Sequence, residues 1–232
     1  QDLSTEEGLA AYKAYLAEVG KKEWFEQAEL LEAQFLESTN LEVDENGYIQ
    51  GIAGVTIKDG GYSKLAKAAL ANAKAGKTVK LEATSNYGSP NIVWVEATVD
   101  ADGAFTALEL NTLQGKVVKN AEDLVTGYAW NAKNKQELGY LYGMHNTNNA
   151  DAGYERQDLS TEEGLAAYKA YLAEQEKLEW FEQANMITAY ALENGLANLK
   201  MNEAKKLDGS VEALAGVSIT VDHYLAVLEQ AY

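Results

Sequence analysis

The stretch IVWVEATVDADGAFTALEL, residues Ile92–Leu110, decides the fold class of this chain. Apolar and polar residues alternate over Ile92–Val99 and again over Ala104–Leu110, and an Asp-Gly dipeptide lies between these two runs. An Asp-Gly pair flanked by alternating runs is a strong signal for a β-hairpin. The preceding run Thr78–Thr84 alternates in the same way, so the sequence predicts three strands of an antiparallel sheet.

Helical patterns flank the predicted sheet. Apolar residues recur at helical spacing from Leu9 to about Leu36, with a break near Gly20, and Ser4 with Glu7 is interpreted as a capping box. Other segments are typical of two further helices and one short strand. These are the helices Asp59–Ala75 and Val221–Tyr232 and the strand Leu41–Val43. Strands followed by helices favour an α+β fold, an antiparallel sheet with packed helices.

The chain repeats itself with the period of a whole domain. Gln1–Glu18 is identical to Gln157–Glu174, an offset of 156 residues (157 − 1). Two shorter motifs recur as well. They are EWFEQA at Glu23–Ala28 and Glu179–Ala184, and IAGVTI at Ile52–Ile57, which corresponds to LAGVSI at Leu214–Ile219. A period of this length is too long for a solenoid, so each repeat is interpreted as a domain.

The phase of the repeat predicts the domain organisation. Residues 1–76 correspond to the back half of a domain, and residues 77–232 form a complete copy. Two interpretations account for this phase: recombinant expression or proteolysis set the start point, or another chain supplies the missing front half. In the second case, half-domain exchange between identical chains would give a head-to-tail homo-polymer.

Composition excludes several classes of function. The chain has 36 acidic and 19 basic residues, a formal net charge of −17, and its one arginine is Arg156. Nucleic acid is therefore not expected as a partner, because a phosphate backbone is bound by clustered Lys and Arg. No cysteine is present, which excludes disulfides and thiolate metal sites. No apolar run approaches the ~20 residues of a membrane span.

Few residues suggest catalysis or metal binding. His145 and His223 are the two histidines, and neither belongs to a catalytic or zinc motif, so both are interpreted as surface or core residues. Trp24 and Trp180 lie at helical spacing and are predicted to be core residues. Asp100–Gly103 resembles part of a calcium loop, but a hairpin turn explains it better. No catalytic residue and no metal ligand is predicted.

The repeated AGV[TS]I motif is a candidate anion site. Thr56 in the first copy and Ser218 in the second come shortly before a predicted helix. The first turn of a helix carries free backbone N–H groups and the positive end of the helix dipole, which can hold a phosphate without arginine. The alternative is that each hydroxyl belongs to an ordinary residue near a helix N-cap.

The order of three motifs resembles a known family. ELGYLYGM at Glu137–Met144, EWFEQA at Glu179–Ala184 and LAGVSIT at Leu214–Thr220 are similar, in this order, to motifs of the extracytoplasmic FMN-binding domains. That family includes a subunit of the sodium-pumping quinone reductase and lipoproteins of extracellular electron transfer. The resemblance covers Lys77–Tyr232 as a full domain and Gln1–Gly76 as the back half of another.

The resemblance implies a cofactor and its site. In the family a flavin transferase joins FMN through its phosphate to a hydroxyl residue, which corresponds to Thr56 and Ser218 here. The other cofactor-binding positions implied are Gly54, Val55, Gly216, Val217, Leu138, Gly139, Tyr142, Gly143 and Met144. The signature departs from the family pattern, because alanine replaces its leading Ser or Thr at Ala53 and Ala215.

Three functions remain open from the sequence. The resemblance implies an extracellular or cell-surface electron carrier, with its signal or lipoprotein segment absent from this chain. Its partner would be a redox protein or a quinone-linked reductase. The altered signature and the near-identical repeat favour a flavin-free structural or interaction module instead, such as a surface protein or fibre subunit. A flavin-dependent reductase that turns over a substrate is the third candidate.

Overall fold

The structure, a computed structural model, describes residues 2–86 and 88–232. By their contacts the residues divide into unit 1, Gln1–Ala75, and unit 2, Gly76–Tyr232. This division lies one residue before the boundary predicted from the repeat. Each unit is described by itself below.

Unit 1 consists of helices and a small two-stranded sheet. In chain order its elements are α1 (Glu6–Glu18), α2 (Trp24–Glu37), β1 (Glu42–Val43), β2 (Ile49–Gln50) and α3 (Tyr62–Lys74). The predicted break near Gly20 is confirmed, since α1 ends at Glu18 and Gly20 has a φ of 63°, a conformation that glycine adopts without strain. Leu31, Ile49 and Val55 form the small buried core of this unit.

Unit 2 contains an antiparallel sheet covered by helices. Its elements are β3 (Lys77–Asn86), β4 (Ser89–Val99), β5 (Phe105–Lys119), β6 (Val125–Trp130), α4 (Lys135–Leu138), α5 (Glu162–Glu174), α6 (Trp180–Asn194) and α7 (Asp222–Ala231). The sheet order is β3-β4-β5-β6, with every neighbouring pair antiparallel. The predicted α+β class and the antiparallel meander are confirmed.

The predicted hairpin turn between β4 and β5 is also confirmed. The Asp100 carboxylate accepts hydrogen bonds from the backbone N–H groups of Asp102 and Ala104, and Gly103 has a φ of 84°. The carboxylate therefore organises a turn here, as expected from the Asp-Gly signal.

The core of unit 2 lies between one face of the sheet and helices α6 and α7. Val95 of β4 is paired with Leu110 of β5, and both side chains are fully buried. They pack in one cluster with Trp180 and Ile187 of α6 and Val227 of α7. Period-two alternation in the strands and 3.6-residue periodicity in the helices bring these apolar residues to the same interface.

The predicted capping box is wrong by one residue. The Thr5 hydroxyl caps α1 by accepting from the Gly8 N–H at 3.1 Å. The Ser4 hydroxyl instead donates to the Asp2 carboxylate at 2.6 Å. The second copy behaves in the same way, since Thr161 caps α5.

Two further expectations are corrected. The strand predicted to end at Leu110 continues to Lys119, and strand β6 was not predicted at all. Trp24, predicted to be a core residue, is 56% exposed within the chain, whereas Trp180 is 1% exposed and the prediction for it is confirmed.

Candidate functional site

The two hydroxyls of the AGV[TS]I motif lie on exposed turns ahead of a helix. Ser218 comes four residues before α7 begins at Asp222, and Thr56 comes six residues before α3 begins at Tyr62. Both residues are exposed. They are thus accessible from solvent, but neither lies in the first turn of its helix.

A buried glutamine on the preceding helix organises each of these turns. The Gln183 side-chain oxygen accepts hydrogen bonds from the Ser218 N–H at 2.6 Å and the Ile219 N–H at 3.1 Å. In unit 1 the Gln27 oxygen accepts from the Thr56 N–H at 2.7 Å. The expectation that free amide N–H groups surround the hydroxyl is therefore wrong for these amides, because a side chain of the same chain already satisfies them.

The small residues of the motif have packing roles. Val55 is buried in the core of unit 1, and Val217 packs against the core of unit 2. A Cβ atom at Gly216 would lie 2.9 Å from Leu178 Cδ1, and one at Gly54 would lie 2.9 Å from the Lys22 side chain. These glycines allow the turn to approach the loop that precedes α2 or α6.

The predicted segment Leu138–Met144 connects α4 to the helices of unit 2. Leu138 ends α4, and Gly139–Tyr142 forms a single 3₁₀ turn. Gly143 adopts a φ of 65° against Leu159, and the Met144 N–H donates to the Glu179 carboxylate at 3.0 Å. The segment therefore supports α5 and α6 in this structure.

A polar cleft opens in unit 2 beside the start of α7. Its volume is about 370 Å³, and it lies over the end of β3, the start of β4 and the middle of β5. Its lining is mainly hydroxyl, amide and charged side chains. The lining residues are Thr84, Ser85, Asn86, Asn91, Val93, Thr112, Gln114, Lys135, Lys205, Thr220, Asp222, His223 and Tyr224. Thr220 is the residue of the LAGVSIT stretch that reaches this cleft.

Lys135 brings a buried positive charge to the cleft. Its residue is 9% exposed, and its Nζ lies 4.6 Å from the centre of the Tyr142 ring and 4.9 Å from that of Trp180. Burial lowers the pKa of Lys135 from 10.5 to about 8, although the charge of Glu179 opposes this shift. Among the residues that the structure describes, no carboxylate oxygen lies within 4.0 Å of this ammonium.

The other ionisable side chains of the cleft have carboxylate neighbours or are themselves paired. Lys205 Nζ lies 2.7 Å from the Asp222 carboxylate, and His223 Nδ1 lies 3.1 Å from that of Glu82. Burial raises the pKa of Asp222, but the hydrogen bond from Lys205 and the contacts with His223 outweigh burial and lower it overall. The charge of Lys135 therefore differs from that of Lys205 in having no such partner in the described part of the chain.

Comparison with protein-family models, with curated proteins and with solved structures gives no match. The resemblance to FMN-binding domains accordingly depends on the quoted motifs alone. Across the described residues, no helix combines the length and the apolar character needed to cross a membrane.

Proposed function

We propose that the cleft of unit 2 holds FMN and that the chain acts as an extracytoplasmic electron carrier. The observation that carries this proposal is the buried Lys135, a residue that lines a polar cleft at the start of a ten-residue helix, α7. A cation and a helix N-terminus together favour a phosphate group. The sequence resemblance suggests that the ligand is a flavin, and the residues of the cleft favour a ligand that carries a phosphate.

The residues of the cleft fit such a ligand. Its volume of about 370 Å³ lies within the roughly 300–1,000 Å³ range of small-molecule pockets. Lys135 would neutralise the phosphate, and Asn91 and Gln114 offer hydrogen-bonding groups along the sheet. When bound, FMN itself would supply the redox chemistry, while the protein orients it and adjusts its electronic environment.

Covalent attachment at Ser218 is the finer form of the proposal. The Ser218 hydroxyl is exposed, and its contact with the Gln183 oxygen is long, at 3.4 Å. A flavin transferase could therefore reach this oxygen without unfolding the turn. Thr56 presents the same exposed hydroxyl in unit 1, with Gln27 at 3.3 Å. The electron donor would be a redox protein or a quinone-linked reductase.

We expect Lys135→Met to weaken FMN binding at least about tenfold, because a charge-assisted contact with the phosphate is lost. Binding is measured by quenching of flavin fluorescence. Riboflavin, which lacks the phosphate, should bind the variant and the original chain alike. The matched control is Lys133→Met, which removes an exposed lysine two residues away. An original chain that binds neither flavin, or a Lys135→Met variant with undiminished FMN affinity, contradicts the proposal.

The same lysine predicts two opposite pH dependences. Lys135 loses its proton as the pH rises through about 8, whereas a phosphate monoester stays dianionic above about pH 6. The affinity for FMN should therefore fall as the pH rises above about 8. The Lys135→Met variant should not show this fall. The free protein should instead gain stability between about 8 and 10.5, because only the unfolded chain then keeps the proton. Titrations and urea unfolding across this window measure both trends.

We expect Ser218→Ala to abolish covalent flavin attachment in unit 2. The chain is co-expressed with a flavin transferase, and flavin fluorescence that survives denaturation is measured together with the mass of the Ser218 peptide. Stability should change by no more than about 1 kcal/mol, since the hydroxyl is exposed. Ser210→Ala removes an exposed hydroxyl outside the cleft and is the control that should keep the adduct. A denaturation-resistant flavin on the Ser218→Ala unit would place the attachment atom elsewhere.

One observation favours the flavin-free structural module as a second candidate. Both copies use a buried glutamine to satisfy the amide of the hydroxyl residue, so this amide needs no ligand as its acceptor. In that case the hydroxyls of Thr56 and Ser218 simply belong to a supported turn. Colourless protein from the native host, with unmodified Thr56 and Ser218 peptides, would support this alternative.

A further inference from the structure

The helices of unit 1 keep the internal hydrogen bonds of their counterparts in unit 2. Trp24 Nε1 donates to the Tyr62 hydroxyl at 3.0 Å, as Trp180 Nε1 donates to the Tyr224 hydroxyl at 3.1 Å. Two other pairs correspond in the same way. They are Tyr12–Glu23 with Tyr168–Glu179, and Gln27–Thr56 with Gln183–Ser218. The repeated sequence therefore builds the same helical scaffold twice.

Burial separates the two scaffolds. Trp24 is 56% exposed where Trp180 is 1% exposed, and Leu65 is 68% exposed where the corresponding Val227 is fully buried. We call the side of unit 1 that carries Trp24 and Leu65 its open face. Exposed apolar side chains grouped on one face indicate a surface that a partner covers.

Unit 2 shows what covers the corresponding face. There the inward residues of β4 and β5, such as Val95 and Leu110, pack in one cluster with Trp180 and Val227. The Tyr224 hydroxyl also lies 2.8 Å from Thr112 Oγ1 of β5. Strands β4 and β5 of the meander thus complete the core that the helices begin.

Unit 1 also has a cavity at a place that is filled in unit 2. A cavity of about 740 Å³ lies between α1 and α2, beside Leu9, Tyr12 and Phe25. In unit 2 the segment 139–156 packs against the corresponding helices. Tyr154 stacks on Tyr171 of α5 with 3.8 Å between the ring centroids, and Tyr140 packs edge-on against Phe181 of α6. The cavity of unit 1 is the place where such a segment would lie.

We propose that the open face of unit 1 binds a further copy of the segment formed by residues 77–156, linked to α1 as residues 77–156 are linked to α5. The strands would cover Trp24 and Leu65, and the connecting segment would fill the cavity between α1 and α2. The meander of a second identical chain is a poorer occupant, because it is already covered by its own α6 and α7. Exchange would expose Trp180 there. This proposal does not depend on flavin.

The test compares the full chain with a longer chain that carries an added copy of residues 77–156 ahead of residue 1. Because residues 1–18 repeat residues 157–174, the junction reproduces the natural sequence around Arg156. Two readouts are used: chymotrypsin cleavage after Tyr15 and Phe25, and acrylamide quenching of Trp24. The Trp24 signal is the difference between each chain and its Trp24→Phe variant. We expect cleavage to slow at least about tenfold, the factor given by 1.4 kcal/mol of added protection, and Trp24 to become shielded.

The matched control carries Val95→Asp and Leu110→Asp in the added copy alone, and it should leave both readouts as in the original chain. Leu65→Lys should be neutral in the original chain and should remove the protection in the longer one, which tests the face without altering the added copy. Equal cleavage and quenching with and without the intact copy would overturn the proposal. So would an original chain that is dimeric in solution with Trp24 already shielded.

Discussion

Trp180→Ala will lower the free energy of unfolding of unit 2 by about 3–5 kcal/mol. The Trp180 side chain is 1% exposed and lies in the cluster formed by the sheet and α7. Alanine would leave a large cavity there and remove the indole donor of the Tyr224 hydroxyl, which stands 3.1 Å from Nε1. Urea unfolding followed by circular dichroism measures the loss.

The repeat supplies the control for this prediction. Trp24 occupies the same place in the same EWFEQA motif, but it is 56% exposed. We expect Trp24→Ala to change stability by no more than about 0.5 kcal/mol in this chain, as for most surface substitutions. Equal losses for the two variants would show that the difference in burial is not real.

Trp24 and Trp180 show that the sequence predicts the face of a helix but not whether that face is buried. Periodicity places Trp24 and Trp180 on equivalent helix faces, and both were predicted to be core residues. Whether such a face is buried depends on a sheet that is distant in sequence, and local spacing carries no information about that sheet. The α+β class was predictable because the alternation of β4 and the Asp-Gly turn are local signals.

The candidate site was less predictable than the fold. Thr56 and Ser218 stand out because their motif occurs twice, yet the acceptor that holds their amides comes from Gln27 or Gln183 on another element. Lys135 was not predicted, since a single lysine in a four-residue helix has no pattern that marks it as buried. Strand β6 was missed for a related reason: its side chains are almost all exposed, so no alternating apolar face marks it.

A buried carboxylate joins the elements that the sequence could not connect. Glu179 is fully buried, and it accepts hydrogen bonds from the Met144 N–H at 3.0 Å, the Trp180 N–H at 2.8 Å and the Tyr168 hydroxyl. Burial and this last bond raise the pKa of Tyr168 above its ordinary value. The Glu179 side chain thus connects α5 and the segment after the 3₁₀ turn to the start of α6.

Removing the Glu179 carboxylate should also lower the stability of unit 2 strongly. We expect Glu179→Ala to destabilise unit 2 by at least about 3 kcal/mol, because each buried donor left without an acceptor costs about 1–3 kcal/mol. Glu23→Ala is the matched control in unit 1, where Tyr12 is the corresponding partner and Glu23 is only half-buried. Its cost should stay near 1 kcal/mol.

A second readout separates this role from a general loss of packing. The Glu179 charge raises the pKa of Lys135 against the effect of burial. In Glu179→Ala the pKa of Lys135 should therefore fall below about 8, so any FMN bound by the folded variant should be released at a lower pH than from the original chain. Urea unfolding and flavin titration are both measured on the same preparation. A loss of less than about 1 kcal/mol, together with an unchanged pH dependence, would mean that Glu179 neither holds these donors nor acts on Lys135.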